Sequence, residues 1–96
     1  MKVERISEGK TLTLIVDGRI DTIESQEFAK EFDNLDSIDE LIIDLAKVDY
    51  VSSAALRVLL SVRNKMKDKT IKLRNVSDLV REILELTRFI DLFVIE

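Results

Sequence analysis

The alternation of apolar and polar residues in the first sixteen positions predicts two strands. Val3-Glu4-Arg5-Ile6 and Thr11-Leu12-Thr13-Leu14-Ile15-Val16 are separated by the short turn Ser7-Glu8-Gly9-Lys10. In the second strand Leu12, Leu14 and Val16 fall on one face and Thr11, Thr13 and Ile15 on the other. Asp17-Gly18-Arg19 breaks the alternation, and Gly18 is free to take a positive φ there. From Asp21 the period lengthens. Phe28, Ala29, Phe32 and Leu35 recur at helical spacing, and Asp21 with Glu24 has the spacing of a capping box. A helix is therefore expected to about Leu35, with its phenylalanines in the core.

Leu41-Ile42-Ile43-Asp44-Leu45 is apolar on both faces and predicts a central strand covered on each side, with Asp44 holding the loop that follows. A second helix is expected from residue 53 to about 67. Ala55, Val58, Leu59, Val62 and Met66 should face the sheet, leaving Leu56 and Leu60 as flank packing or exposed. Arg57, Arg63, Lys65, Lys67 and Lys69 lie mostly on its other face, and the cations of its C-terminal half suit the helix dipole. Ile71-Lys72-Leu73-Arg74 reads as a strand nearer the sheet edge. Ser77 should cap a third helix running through Thr87, with Leu79, Val80, Ile83 and Leu86 as its inner stripe. Leu92-Phe93-Val94-Ile95 is available as a short last strand. This order implies one α/β domain over residues 1–96: a mixed sheet of four to five strands, the later ones parallel, packed with three main helices.

Composition narrows the chemistry. Forty-six per cent apolar and 35% charged residues describe a globular chain, and 96 residues suffice for a single core. No apolar run approaches the roughly 18 residues of a membrane span, and the N-terminal stretch lacks a secretory signal, so a cytoplasmic location without membrane insertion is expected. The net charge of −4 speaks against direct nucleic-acid binding. Without histidine or cysteine there is no triad, thiol chemistry or ordinary zinc site. Gly9 and Gly18 are too far apart to build a phosphate-cradling loop, which leaves nucleotide binding without a motif. The acidic run Asp33 to Glu40 lacks the glycine and ligand alternation of a calcium loop. No enzymatic activity, cofactor or metal is expected.

What remains is the pair Ser52-Ser53, where strand, loop and helix meet. A serine at a helix entrance satisfies a free backbone N–H, worth about 1 kcal/mol, but a cap needs only one serine. With Ser52 as cap, Ser53 would sit in the first turn with its hydroxyl available. A phosphate there, with its charge of roughly −2, meets the positive end of the helix and leaves the fold intact while weakening an apolar or acidic contact. The neighbouring candidates for a partner-binding face are Asp21, Thr22, Asp49, Ser52, Ser53, Leu56 and Arg57. Asp21 serves equally as a cap, and Tyr50 is read as packing.

The run Asp44 to Leu60, centred on Tyr50-Val51-Ser52-Ser53-Ala54-Ala55-Leu56-Arg57, closely resembles the core motif of the STAS domains, the bacterial anti-sigma factor antagonists. Gly18-Arg19-Ile20-Asp21-Thr22 is similar to the family's turn ahead of its first helix, and Val76 to Thr87 to its final helix. The resemblance implies a non-enzymatic partner-switching regulator of transcription. Unphosphorylated, such a protein binds an anti-sigma factor that is also a serine kinase; phosphorylation breaks the complex and a serine phosphatase restores it. The family's acceptor falls on Ser53, with Ser52 the alternative and standing where the family often has aspartate. Ala55 and Arg88 replace glycines common in the family. The competing reading is a constitutive STAS scaffold subunit of a lipid-transport or signalling complex, in which both serines act only as caps.

Overall fold

The computed structural model describes all 96 residues. Its elements are β1 (Lys2–Glu8), β2 (Thr11–Asp17), α1 (Glu24–Lys30), β3 (Glu40–Lys47), α2 (Ser53–Lys65), β4 (Thr70–Arg74), α3 (Asp78–Leu86), a 3₁₀ turn (Phe89–Leu92) and β5 (Val94–Ile95). The five strands lie in the order β1-β2-β3-β4-β5. β1 is antiparallel to β2, with Val3 opposite Val16 and Arg5 opposite Leu14, and every later pairing is parallel.

Each parallel connection steps one strand in the same direction. Because such crossovers are right-handed, all three helices are carried to one face of the sheet. The core shows this directly: Leu12, Leu14 and Val16, Leu41, Ile43 and Leu45, and Ile71 and Leu73 form one cluster with Phe28, Leu59, Val80 and Leu84. Phe28 and Phe32 meet edge to face at 4.9 Å within it. Arg5, on the same face of β1, reaches across to the Glu31 carboxylate at 3.1 Å and so ties the edge strand to the end of α1.

Four expectations change. First, α1 stops at Lys30 rather than near Leu35, and the chain leaves by turns with Asn34 at φ +61°. Phe32 and Leu35 remain buried, so the stripe was core even where it was not helix. Second, helices do not cover β3 on both sides. Ile42 is buried but stands outside the helix-side cluster. Its neighbours in register are Thr13 and Lys72, on the face that carries no helix. Third, the inner stripe of α3 is rotated. Val80 and Leu84 are buried with Ile83 beside them, whereas Leu79 is 51% and Leu86 79% exposed. This nine-residue helix leads into an edge strand of only two residues, which limits the sheet surface available to cover its flanks. Fourth, Leu92 belongs to the 3₁₀ turn, and only Val94 and Ile95 pair with β4, opposite Lys72 and Leu73.

Arg88 adopts φ +64°, directly after the C-cap Thr87 of α3. The chain makes the left-handed exit at which glycine is the usual residue, but with an arginine there.

Candidate functional site

β2 and β3 are parallel and finish at the same end of the sheet, and the loops that follow them are laced together. Gly18 N–H donates to the Lys47 carbonyl at 3.1 Å, Ile20 N–H to Tyr50 at 3.0 Å, and Ser52 N–H to Ile20 at 2.9 Å. Beyond the carboxyl ends of parallel strands is where α/β domains display functional groups. Gly18 lies at φ +125°, where a side chain is strained, and a Cβ there would also press on Met1, coming within 3.3 Å of its Cα. The Arg19 guanidinium lies 4.6 Å from the centre of the Tyr50 ring, a cation–π contact that braces the ridge from outside.

This ridge delivers the serine pair. Ser52 has extended backbone angles, and its Oγ accepts the Ala55 N–H at 3.1 Å. At 6% exposure it is the buried N-cap of α2. Ser53, the first residue of the helix, is exposed, and its hydroxyl engages no other group of the chain. One turn on, Arg57 is also exposed and has no ion-pair partner, and the first turn of α2 contains no acidic residue.

The other candidates separate into surface and support. Asp49 and Thr22 are exposed. Asp21 is half-buried, its Oδ1 accepting the Glu24 N–H at 2.8 Å, while its carbonyl accepts from Ser25 N–H. Glu24 does not return the capping-box bond; its carboxylate lies 3.4 Å from the amino terminus. Leu56 does not present a surface at all. It is only 6% exposed and belongs to the core, because the inner face of α2 is wide enough to take Ala55, Leu56, Leu59 and Val62 together. Ser52 and Leu56 thus shape the site from beneath, and Ser53, Arg57, Asp49 and Thr22 form its accessible part. Asp44 does not hold the loop after its own strand: its carboxylate accepts from Ala46 N–H within β3 at 3.0 Å and from the Asn75 amide, just after β4, at 3.1 Å.

Sequence reasoning missed a groove between α1 and α2. Ala29, Phe32, Val58 and Val62 supply its apolar lining, and Arg57, Ser61 and Lys65 its polar margin; its volume is about 210 Å³. Half-burial of Val58 is the trace it leaves, since a residue centred on the inner stripe should otherwise have been covered. A larger, polar depression of about 480 Å³ lies at the other end of α2, against the Asp33–Asp36 turn, where Lys69 Nζ donates to the carbonyls of Leu35 and Asp36. No group of three or more acidic residues is placed to hold a metal ion, and no helix is long and apolar enough to cross a membrane.

Electrostatics on the open face of the sheet are separate from this site. Hydrogen bonds to Glu40 and then Glu96 raise the pKa of Lys72, and those from Arg74 and then Lys72 lower that of Glu96.

A mixed five-stranded sheet with three helices on one face is the fold that this chain shares with solved STAS-domain proteins. The chain belongs to the STAS domain family, whose model matches residues 2–96. It is similar to the STAS-domain containing protein PA14_20770 of Pseudomonas aeruginosa, 32% identical over 92 residues, which cover 93% of this chain and 91% of that protein. In fold it is similar to an anti-sigma factor antagonist from Mycobacterium paratuberculosis, with a TM-score of 0.88 and 21% identity over 98% of this chain and 83% of that one. It is similar too to the unphosphorylated anti-sigma factor antagonist SpoIIAA, with a TM-score of 0.77 and 10% identity over 99% of this chain and 87% of that one. SpoIIAA, described as a Bacillus cell fate determinant, has also been solved in its phosphorylated form, and this chain matches that structure with a TM-score of 0.76, 10% identity and coverage of 99% and 91%.

Proposed function

We propose that this protein is a cytoplasmic anti-sigma factor antagonist switched by reversible phosphorylation of Ser53. The observation that carries the reading is the division between the two serines: Ser52 Oγ is committed to the helix cap, and the Ser53 hydroxyl is exposed. Its partners are an anti-sigma factor that is also a serine kinase and a phosphatase that reverses the modification. The kinase passes the γ-phosphoryl group of ATP to Ser53 Oγ, releasing ADP and the hydroxyl proton. The protein itself supplies an acceptor and a surface and needs no catalytic group.

The physical consequence is local. Phosphorylation adds a charge of roughly −2 beside the first N–H groups of α2, where an anion is tolerated. Neither Ser53 nor its neighbours on the exposed side contribute to the core, so the domain keeps its fold while a desolvated partner contact over Ser53 is lost. Incubation with the cognate kinase and ATP, followed by mass spectrometry, is expected to place one phosphate on Ser53 and none in Ser53→Ala. Transfer of the modification to Ser52 in that variant, or equal partner affinity of Ser53→Asp and wild type, overturns the reading. The second of these results favours the constitutive scaffold.

A further inference from the structure

The groove between α1 and α2 begins one turn below Ser53, and its chemistry specifies what it can hold. At about 210 Å³ it is smaller than the roughly 300–1,000 Å³ of small-molecule sites, so it suits a side chain rather than a metabolite. Its lining is apolar, with Phe32 and Val62 buried as its base and Ala29 and Val58 half-covered. Both charges at its margin are positive, Arg57 and Lys65. In a chain of 19 acidic and 15 basic residues, neither of these cations has an acidic partner. Six of the fifteen cations, Arg5, Lys10, Lys30, Lys72, Arg74 and Arg81, are neutralised within the chain, and the two on this rim are among those that are not. An apolar slot with two unneutralised cations on its rim is complementary to a peptide segment carrying a branched apolar side chain next to carboxylates.

Arg57 also stands four residues after Ser53, on adjacent turns of one helix, where side chains lie about 5–6 Å apart at Cβ. A phosphate on Ser53 and a carboxylate in the groove are therefore within reach of the same guanidinium. We propose that the α1–α2 groove is the seat of an acidic, leucine-like segment of the partner, with Arg57 as its anion anchor, and that phosphate on Ser53 competes for that anchor. The first half of this stands on the groove alone; the second rests on the reading of Ser53 as the phosphate acceptor. The fork of Arg57 suits either anion, since carboxylate and phosphate both accept its paired N–H groups.

The test uses the full chain, ¹⁵N-labelled, titrated to millimolar concentration with the capped peptide acetyl-Glu-Leu-Leu-Glu-amide and its Gln-Leu-Leu-Gln counterpart. The acidic peptide should shift the amides of Ala29, Val58, Ser61 and Val62 and the Arg57 Nε–H. The uncharged peptide, and the acidic peptide on Arg57→Ala, should bind about two- to five-fold more weakly, the worth of an exposed ion pair. Protein carrying phosphoserine at position 53, made by direct incorporation without any kinase, should lose at least as much and show a displaced Arg57 Nε–H signal before peptide is added. Equal binding of the two peptides, shifts confined to the open face around Ile42, or no shifts at all would overturn the groove assignment. So would concentration-dependent shifts of the same amides without peptide, which would assign the groove to a second copy of the chain. An unmoved Arg57 signal in the phosphoserine protein overturns the competition alone. Failure of a kinase to modify Ser53 leaves the groove result standing and removes the phosphorylation switch together with the competition that rests on it.

Discussion

Adjacent and chemically identical, Ser52 and Ser53 should respond oppositely to the same deletion. Removing the Ser52 hydroxyl takes away the acceptor of a 3.1 Å bond from the Ala55 N–H in a site only 6% exposed. Loss of an N-cap costs about 0.5–2 kcal/mol, and a buried donor left without a partner about 1–3 kcal/mol. The two figures describe the same event, so the overlap near 1.5 kcal/mol is the expected loss. For a domain of 96 residues each kcal/mol moves the midpoint by about 4–8 °C, which puts Ser52→Ala about 6–12 °C below wild type. Ser53→Ala deletes an exposed hydroxyl with no partner and should fall within about 0.5 kcal/mol of wild type. Ser52→Asp should keep the cap and stay close to wild type, since aspartate is an equally good cap and meets the helix dipole favourably. Thermal melts followed by circular dichroism, checked by urea unfolding, decide the matter. A Ser53→Ala loss as large as that of Ser52→Ala, or a neutral Ser52→Ala, would refute the assignment of cap and displayed hydroxyl.

Four further outcomes follow from the same structure. Leu56→Ala should cost about 2–5 kcal/mol as a core truncation, and Leu86→Ala less than about 0.5 kcal/mol; similar losses at both would show that α3 is seated differently. Arg88→Gly should raise stability by up to about 1 kcal/mol in urea melts by relieving a left-handed non-glycine residue, with a loss instead arguing against φ +64°. The stability contributed by Glu96, whose folded pKa is lowered, should be complete above its ordinary value of 4.5 and vanish as pH falls through the lower folded value. The contribution of Lys72, whose folded pKa is raised, should be complete below 10.5 and disappear as pH climbs through the higher folded value. Urea melts across pH should therefore show a shallower acid limb for Glu96→Gln, and an unchanged limb would count against the Arg74–Glu96 pair.

Much of this molecule was legible before any fold was known, because the signals were local. Alternation in Thr11 to Val16 determined both the strand and its inward face, as Leu12, Leu14 and Val16 have only one way to be buried together. Ser77 and Ser52 act as caps through bonds that span three residues, so each lies within reach of sequence reading. The same holds for Gly18, whose turn at φ +125° favours glycine.

What tertiary structure decided was which apolar positions find something to cover them. Counting periods cannot know that the sheet carries helices on one face only, so Ile42 read as a residue under a second layer that is absent. Nor can it know that β5 contributes only two residues, so that α3 buries Val80 and Leu84 while Leu79 and Leu86 face outward. Leu56, which the stripe left as flank packing or exposed, is buried, because α2 packs both on the sheet and beside α1 and so covers a broader arc than its central stripe. The α1–α2 groove, and the position of Arg57 between it and Ser53, depend on how two helices distant in sequence lie against each other. A periodic pattern reports how one element wishes to be oriented; burial is settled by the shape of its neighbours.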